Sequence, residues 1–168
     1  MAGNLTLGRK KYAAVEEDIR KLLAEGETVR SRLLELADED AAAFEPLSRA
    51  YSIPKDEPGR AETLEAATLR ACAAPLEMMR CCCRAIDLLA EMLNKGSVLL
   101  VSDVGCGAIC CRAALESAAL NIFVNTKTLK NRAEAESLDA DADEMLQTYG
   151  ARAGRVAEEV TRRLRGGE

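Results

Sequence analysis

The chain of 168 residues contains no His, no Trp, three Tyr and two Phe. Without His there is no Ser-His-Asp or Cys-His machinery and no His-containing zinc site. The few aromatic rings and a net charge of −5 leave neither the stacking platforms nor the basic face that nucleic-acid binding uses. Pro numbers only four, β-branched residues are sparse, and roughly one residue in six is Ala, so helix is favoured nearly everywhere. No strand pattern, linker or internal repeat stands out. No stretch reaches the ~20 apolar residues of a membrane span without charges. Arg9, Lys10 and Lys11 precede a charged helix rather than the apolar core of a signal peptide. These absences predict one soluble, cytoplasmic helical domain over residues 1–168, with no nucleic-acid or membrane partner. Catalysis, if any, falls to carboxylates, Lys, Tyr, Ser or Cys.

Cys is plentiful. The seven Cys sit in clusters, Cys81-Cys82-Cys83 and Cys106, Cys110 and Cys111, with Cys72 apart. An odd, clustered set is unlike a secreted disulfide framework. Adjacent Cys on a helix point in different directions, so Cys81 to Cys83 cannot converge on one metal. Cys106 and Cys110 share a helical face and could form a redox or two-ligand pair, whereas packing of small apolar side chains in a reducing compartment accounts for all seven.

Apolar residues recur at steps of three and four from Tyr12 through Val15, Ile19, Leu22, Val29, Leu33 and Leu36 or Ala37, and again at Phe44, Leu47 and Tyr51. This predicts a helix of some forty residues, kinked at Pro46 and ended before Pro54. Ile53 to Gly59 reads as a loop. A second run, Leu64 to Leu93, is bent by Pro75 and stops near Asn94-Lys95-Gly96. A third helix from Ser102-Asp103 to about Asn125 is apolar nearly all round, which predicts the most buried helix of the bundle. A covering helix follows from about Asp139 to Leu164, its basic end a solvated terminus. The fold class is an all-α antiparallel bundle with a central helix at about 102–125.

Polar residues that break the stripes are the candidates for chemistry. Asp40 falls in line with Leu33, Phe44, Leu47 and Tyr51, and a carboxylate on an apolar face suits proton transfer, unless the kink before Pro46 turns it to solvent. Asp103, in Val101-Ser102-Asp103-Val104-Gly105-Cys106-Gly107, is either a helix N-cap or a group beside a ligand that the two glycines admit. Asn121 and Asn125 lie four apart, roughly in line with Asp103. They could bind a flat heterocycle or bond across helices. Arg112 and Glu116 form an i, i+4 ion pair.

Four separated motifs resemble the cyclodeaminase/methenyltetrahydrofolate cyclohydrolase family, which includes the deaminase part of formiminotransferase-cyclodeaminase. They are Leu5-Thr6-Leu7-Gly8-Arg9-Lys10-Lys11-Tyr12, Asp38 to Phe44, Tyr51-Ser52-Ile53-Pro54-Lys55, and Ser102 to Ala108 with Ala113 to Asn125. The resemblance implies a homodimer acting on one-carbon folates without a cofactor or metal. The reaction would be cyclisation of formiminotetrahydrofolate with loss of ammonia, or hydrolysis of methenyltetrahydrofolate. Asp103 would be the principal acid/base and Asp40 a second carboxylate. Lys10, Lys11, Tyr12, Lys55, Ser102, Gly105, Asn121 and Asn125 would bind substrate. Three departures stand out: the family's Gly-rich Pro-Gly-Gly-Gly-Ser helix is missing ahead of Leu5, Ser97-Val98-Leu99-Leu100 stands where many relatives have Asn-Pro-Asn, and Asn131 replaces an Asp. They leave a second expectation, a catalytically impaired helical dimer that binds folate or scaffolds a partner.

Overall fold

Acidic side chains at Glu16, Glu17 and Asp18 open the first long helix, where they complement the free amides of its first turn. A computed structural model of the chain describes residues 1–166, which hold helices and turns with no strand among them. A 3-10 turn over Lys10–Val15 leads into α1, Glu16–Tyr51, which continues through Pro46. α2 is Arg60–Ala71, α3 Ala73–Lys95, α4 Val101–Thr126, α5 Arg132–Met145 and α6 Ala151–Leu164. Between α5 and α6 the chain makes one π-helical turn, Leu146–Gly150.

The second apolar run is two helices, not one bent helix. Pro75 cannot accept a helical turn before it, because its ring meets the carbonyl four residues back. The break therefore falls at Cys72, and Pro75 lands in the first turn of α3, where amides have no helical partner in any case.

The main core joins α3, α4, α5 and α6 through Leu76, Met79 and Ile86, Val104, Ala108, Leu115 and Ile122, Ala142, and Ala153 and Val156. α1 lies along α3, with Ile19 and Leu22 against Leu88 at one end and Leu36 against Ala74 and Cys81 further on. Ion pairs reinforce this contact, Lys95 with Asp18 at 2.9 Å and Arg84 with Glu25. α2 closes over the far end of α1 through Leu47, Ala50, Ala67 and Ala71. Asn131 is the N-cap of α5 and accepts from the Glu134 amide at 3.3 Å. Asn and Asp cap equally well, so the departure at this position leaves the helix start intact.

α4 sets the spacing of the bundle. A Cβ on Gly105 would sit 2.8 Å from Val160 Cγ1 of α6, and one on Gly107 would sit 3.0 Å from Leu89 Cδ2 of α3. Two faces of α4 are thus in close contact. A third is open: Ile109, Leu120 and Val124 are 59, 68 and 62 % exposed. α4 is therefore central but not the most buried helix, because periodicity registers an apolar residue and not what covers it. By length and hydropathy, 98–126 is long and apolar enough to cross a bilayer, although no charge-free stretch in it reaches that length. It carries Asp103, Arg112 and Glu116 and packs on α3 and α6.

Cys72, Cys81, Cys82 and Cys83 are buried. Burial pushes Cys72 up to about 11 and Cys82 and Cys83 up to about 12, so their thiolates are absent near neutrality. Iodoacetamide at pH 8 is expected to leave these four thiols unlabelled in the folded protein and to reach them only after denaturation, read by peptide mass spectrometry. The glycine contact predicts that Gly105→Val loses about 1–3 kcal/mol in urea unfolding through overpacking. Gly26→Ala, with nothing within 4 Å of the new Cβ, is expected to gain up to about 1 kcal/mol through helix propensity.

Candidate functional site

The N-terminal segment is tied across the bundle by one side chain. Thr6 is buried, donates from Oγ1 to the Ala2 carbonyl at 2.8 Å and accepts the Ser97 amide at 2.9 Å. Val98 N–H donates to the Tyr12 hydroxyl at 3.3 Å beside it. These two bonds fasten residues 1–12 to the turn between α3 and α4, and they carry Met1 to Gly3 onto α1. There is no room for a side chain at Gly3, where a Cβ would meet Leu23 Cδ2 at 2.7 Å.

The fastened segment walls a cleft of about 540 Å³ whose other sides are α1, α3 and α4. Leu22, Leu23, Val29, Leu88, Leu89 and Met92 make most of the surface, with Gly26 leaving space in the α1 wall and Gly107 bringing α4 close on the other side. Two charged groups reach this cleft, Asp103 and Arg30. Asp103 stands in the first turn of α4, which begins at Val101, so it is not the N-cap; its place there suits the helix dipole. Its Oδ2 is buried and has no hydrogen-bond partner. A buried, unpartnered carboxylate oxygen is costly, and a ligand's N–H or O–H, or a water to be activated, would satisfy it. Arg30 is exposed at the opposite wall and chelates Glu27 through Nε and Nη2 at 3.0 and 2.5 Å.

The other candidates are dispersed. Asp40 is half-buried on α1 but about 15 Å along the helix from Arg30 and outside the cleft. Of the stripe it was aligned with, Leu47 is buried but Phe44 and Tyr51 are exposed, and α1 turns Leu36 and Ala50 inward beside Leu47. Lys10 and Lys11 are exposed on the 3-10 turn, with Lys11 Nζ 5.7 Å from the Tyr12 ring centroid. Tyr12 itself is held by Val98, and Lys55 is exposed in the loop before α2. Gly105 is buried against Val160, so it serves helix approach rather than ligand approach. Ser102 is exposed one residue before Asp103. Asn121 is exposed, its amide donating to the Ser117 carbonyl at 3.3 Å, and Asn125 turns inward to Cys72. Cys106 and Cys110 face outward, and no group of three Cys, Asp or Glu side chains among the described residues could hold a metal. Arg112 and Glu116 are paired at 2.8 Å, as their spacing predicts.

Two contributors escaped the sequence reading. Arg30 belongs to an i, i+3 pair and resembles any solvated charge. Thr6 acts over a separation of 91 residues, for which a single sequence carries no signal beyond Thr6 lying in the first motif.

The family model described as Formiminotransferase-cyclodeaminase matches residues 1–144. A methenyltetrahydrofolate cyclohydrolase from Methylorubrum extorquens is 36% identical over 164 residues, 95% of this chain and 79% of the relative. The formimidoyltransferase-cyclodeaminase of Sus scrofa is 26% identical over 167 residues, 97% of this chain and 31% of that relative. The crystal structure of formiminotetrahydrofolate cyclodeaminase from Thermotoga maritima superposes with a TM-score of 0.80 at 26% identity, covering 99% of this chain and 79% of that one. Match length and fold agree with the four motifs: the chain belongs to the formiminotransferase-cyclodeaminase family.

Proposed function

We propose that the protein is a one-carbon folate enzyme that hydrolyses methenyltetrahydrofolate, with Asp103 as the acid/base. The observation that carries this reading is the unpartnered Oδ2 of Asp103 at the wall of the apolar cleft. The similarity to the cyclohydrolase at 36% identity favours hydrolysis. The cyclodeaminase fold neighbour supports the related deaminating cyclisation as a second reading.

The chemistry needs little beyond a carboxylate. The bridging carbon of a methenylfolate is an amidinium carbon, already electrophilic. Asp103 takes a proton from water as the oxygen attacks that carbon. It then returns the proton to the ring nitrogen that leaves, and as the bridge opens the hydroxyl's remaining proton is released to solvent, leaving the neutral formyl form. In the deaminating direction the same group takes the proton of the attacking p-aminobenzoyl nitrogen and gives it to departing ammonia. These steps are proton transfers and positioning, so the proposal calls for no cofactor. The apolar walls suit the faces of a pterin, and Arg30 suits a carboxylate of the folate tail. Lys10 and Lys11 add positive charge on the same N-terminal arm. Asp40, Lys55 and Asn125 have no place in this cleft. Seven free Cys suit a reducing cytoplasm, and the active form is a dimer of this chain.

The test is loss of methenyltetrahydrofolate absorbance in the near ultraviolet, with a parallel run that looks for its appearance from formiminotetrahydrofolate. Activity in one of the two is expected. Asp103→Asn is expected to lower kcat about 100-fold or more, with an unchanged thermal midpoint. Arg30→Ala is expected to raise KM several-fold at constant kcat, the sign of a lost binding contact. If neither substrate is turned over while folate still protects against unfolding, the chain binds without catalysis, and the assignment of Asp103 is wrong.

A further inference from the structure

α1 carries a glycine that packing does not ask for. Glycine inside a helix costs stability relative to Ala. At Gly105 and Gly107 that cost is offset, because the bare backbone lets α4 approach Val160 and Leu89. Gly26 lies well inside α1, and a Cβ there would meet nothing within 4 Å. The empty side is the cleft, whose wall includes Gly26 itself. Leu22 and Leu23 stand one turn before it on that wall, and Val29 and Arg30 one turn after. Between these shoulders is a notch about 10 Å long. Its floor is helix backbone whose amides are already bonded, a flat surface wide enough for the face of one six-membered ring.

We propose that Gly26 determines the specificity of the cleft: its notch takes the face of the p-aminobenzoyl ring of a folate, with the ring nitrogen's end toward Asp103 and the glutamate toward Arg30. The proposal rests on the folate reading above. The choice of ring follows from polarity. A pterin carries donors and acceptors around its edge, and the notch would leave most of them unpaired, since Arg30 is the one polar side chain among its shoulders. The benzene ring of the p-aminobenzoyl group has no polar atom of its own and loses nothing there. Its direction follows from what stands at each end. Arg30 is one turn beyond Gly26 on the same face of α1. Glu27 takes its Nε and one edge of Nη2, so the opposite edge, Nη1 with the second Nη2 hydrogen, remains for a two-pronged carboxylate contact. In a folate the glutamate is joined to one end of this ring and the reacting nitrogen to the other. A glutamate held at Arg30 therefore sends the nitrogen away from that end of the wall, toward the Asp103 Oδ2 that has no partner. The pterin beyond the reacting carbon then faces Leu88, Leu89 and Met92 of α3. A side chain at position 26 would occupy the place of the ring and touch nothing else.

The probe is p-aminobenzoylglutamate, which has the ring and the tail but no reacting carbon. Calorimetric titration is expected to show that it binds the wild type and binds Asp103→Asn equally well. Gly26→Leu is expected to weaken this binding about tenfold or more, and Gly26→Ala about threefold, by filling the notch. The thermal midpoint of each variant is expected to be no lower than that of the wild type, so the loss is not one of folding; where Gly26→Leu does not fold, Gly26→Ala carries the comparison. Tetrahydropterin, which lacks ring and tail, is expected to bind both variants within about twofold of the wild type. With methenyltetrahydrofolate as substrate, Gly26→Leu is expected to raise KM about tenfold or more while kcat stays within about twofold. Absence of fragment binding to the wild type at millimolar concentration, or equal binding to Gly26→Leu, overturns the notch even where the folate is turned over. So does a defect in Gly26→Leu that falls equally on tetrahydropterin, which would make position 26 a general part of the wall. Where the fragment binds as described and neither folate is turned over, the notch stands and the catalytic reading of Asp103 falls.

Discussion

Close backbone approach at Gly105 and Gly107 is the constraint on which the rest of the molecule depends. The two glycines lie on different faces of α4, one against Val160 of α6 and one against Leu89 of α3. Absence of two side chains lets one helix lie tightly against two others within its first two turns. That end of α4 is where Asp103 stands, and its position relative to α1 and α3 follows from the same two contacts. Further along, the packing is of the ordinary kind, with Leu115 and Ile122 filling the space between helices that the first turns have already aligned. The cleft exists because α1, which packs on α3 and at its far end on α2, does not also close on α4. The N-terminal segment covers part of the gap instead.

This explains why the candidate site is built from parts of unequal origin. Its walls are ordinary core residues with one side unfilled, and its chemistry rests on Asp103 and Arg30. A carboxylate with a buried, unpaired oxygen is a defect in a stability argument. Placed beside an open cleft, it is what a proton-transfer site requires. Thr6 holds the arrangement shut from outside, since its hydroxyl serves the Ala2 carbonyl and the Ser97 amide together.

The helical nature of the chain, the end of α3 at Gly96 and the interest of Asp103 were legible because each rests on local pattern: period, punctuation and a polar residue among apolar ones. What was not legible depended on which faces meet. The line through Leu33, Asp40, Phe44, Leu47 and Tyr51 has the period of a buried stripe, yet within it Leu47 is buried while Phe44 and Tyr51 are exposed, and the cover falls toward Leu36 and Ala50. Periodicity finds an apolar face and does not say which edge of it is covered. The same limit made α4 look wholly buried, although one of its apolar faces meets no part of its own chain. The break at Cys72 could be read from Pro75 only by counting back four residues to the carbonyl its ring would meet. The resemblance supplied what pattern could not, the kind of substrate, and it did so through motifs that include Thr6 and Asp103.

The π-helical turn at Leu146–Gly150 has a consequence of its own. A turn of this width amounts to one residue inserted into an otherwise continuous helix. Every side chain of α6 is therefore set about 100° around from where an unbroken helix would place it. Val156 and Val160 reach α4 only at that phase. Excision of a single residue here, whichever it was, would rotate them away and set the polar Thr161 where Val160 now meets Gly105. At this point of the chain the number of residues is more tightly constrained than their identity.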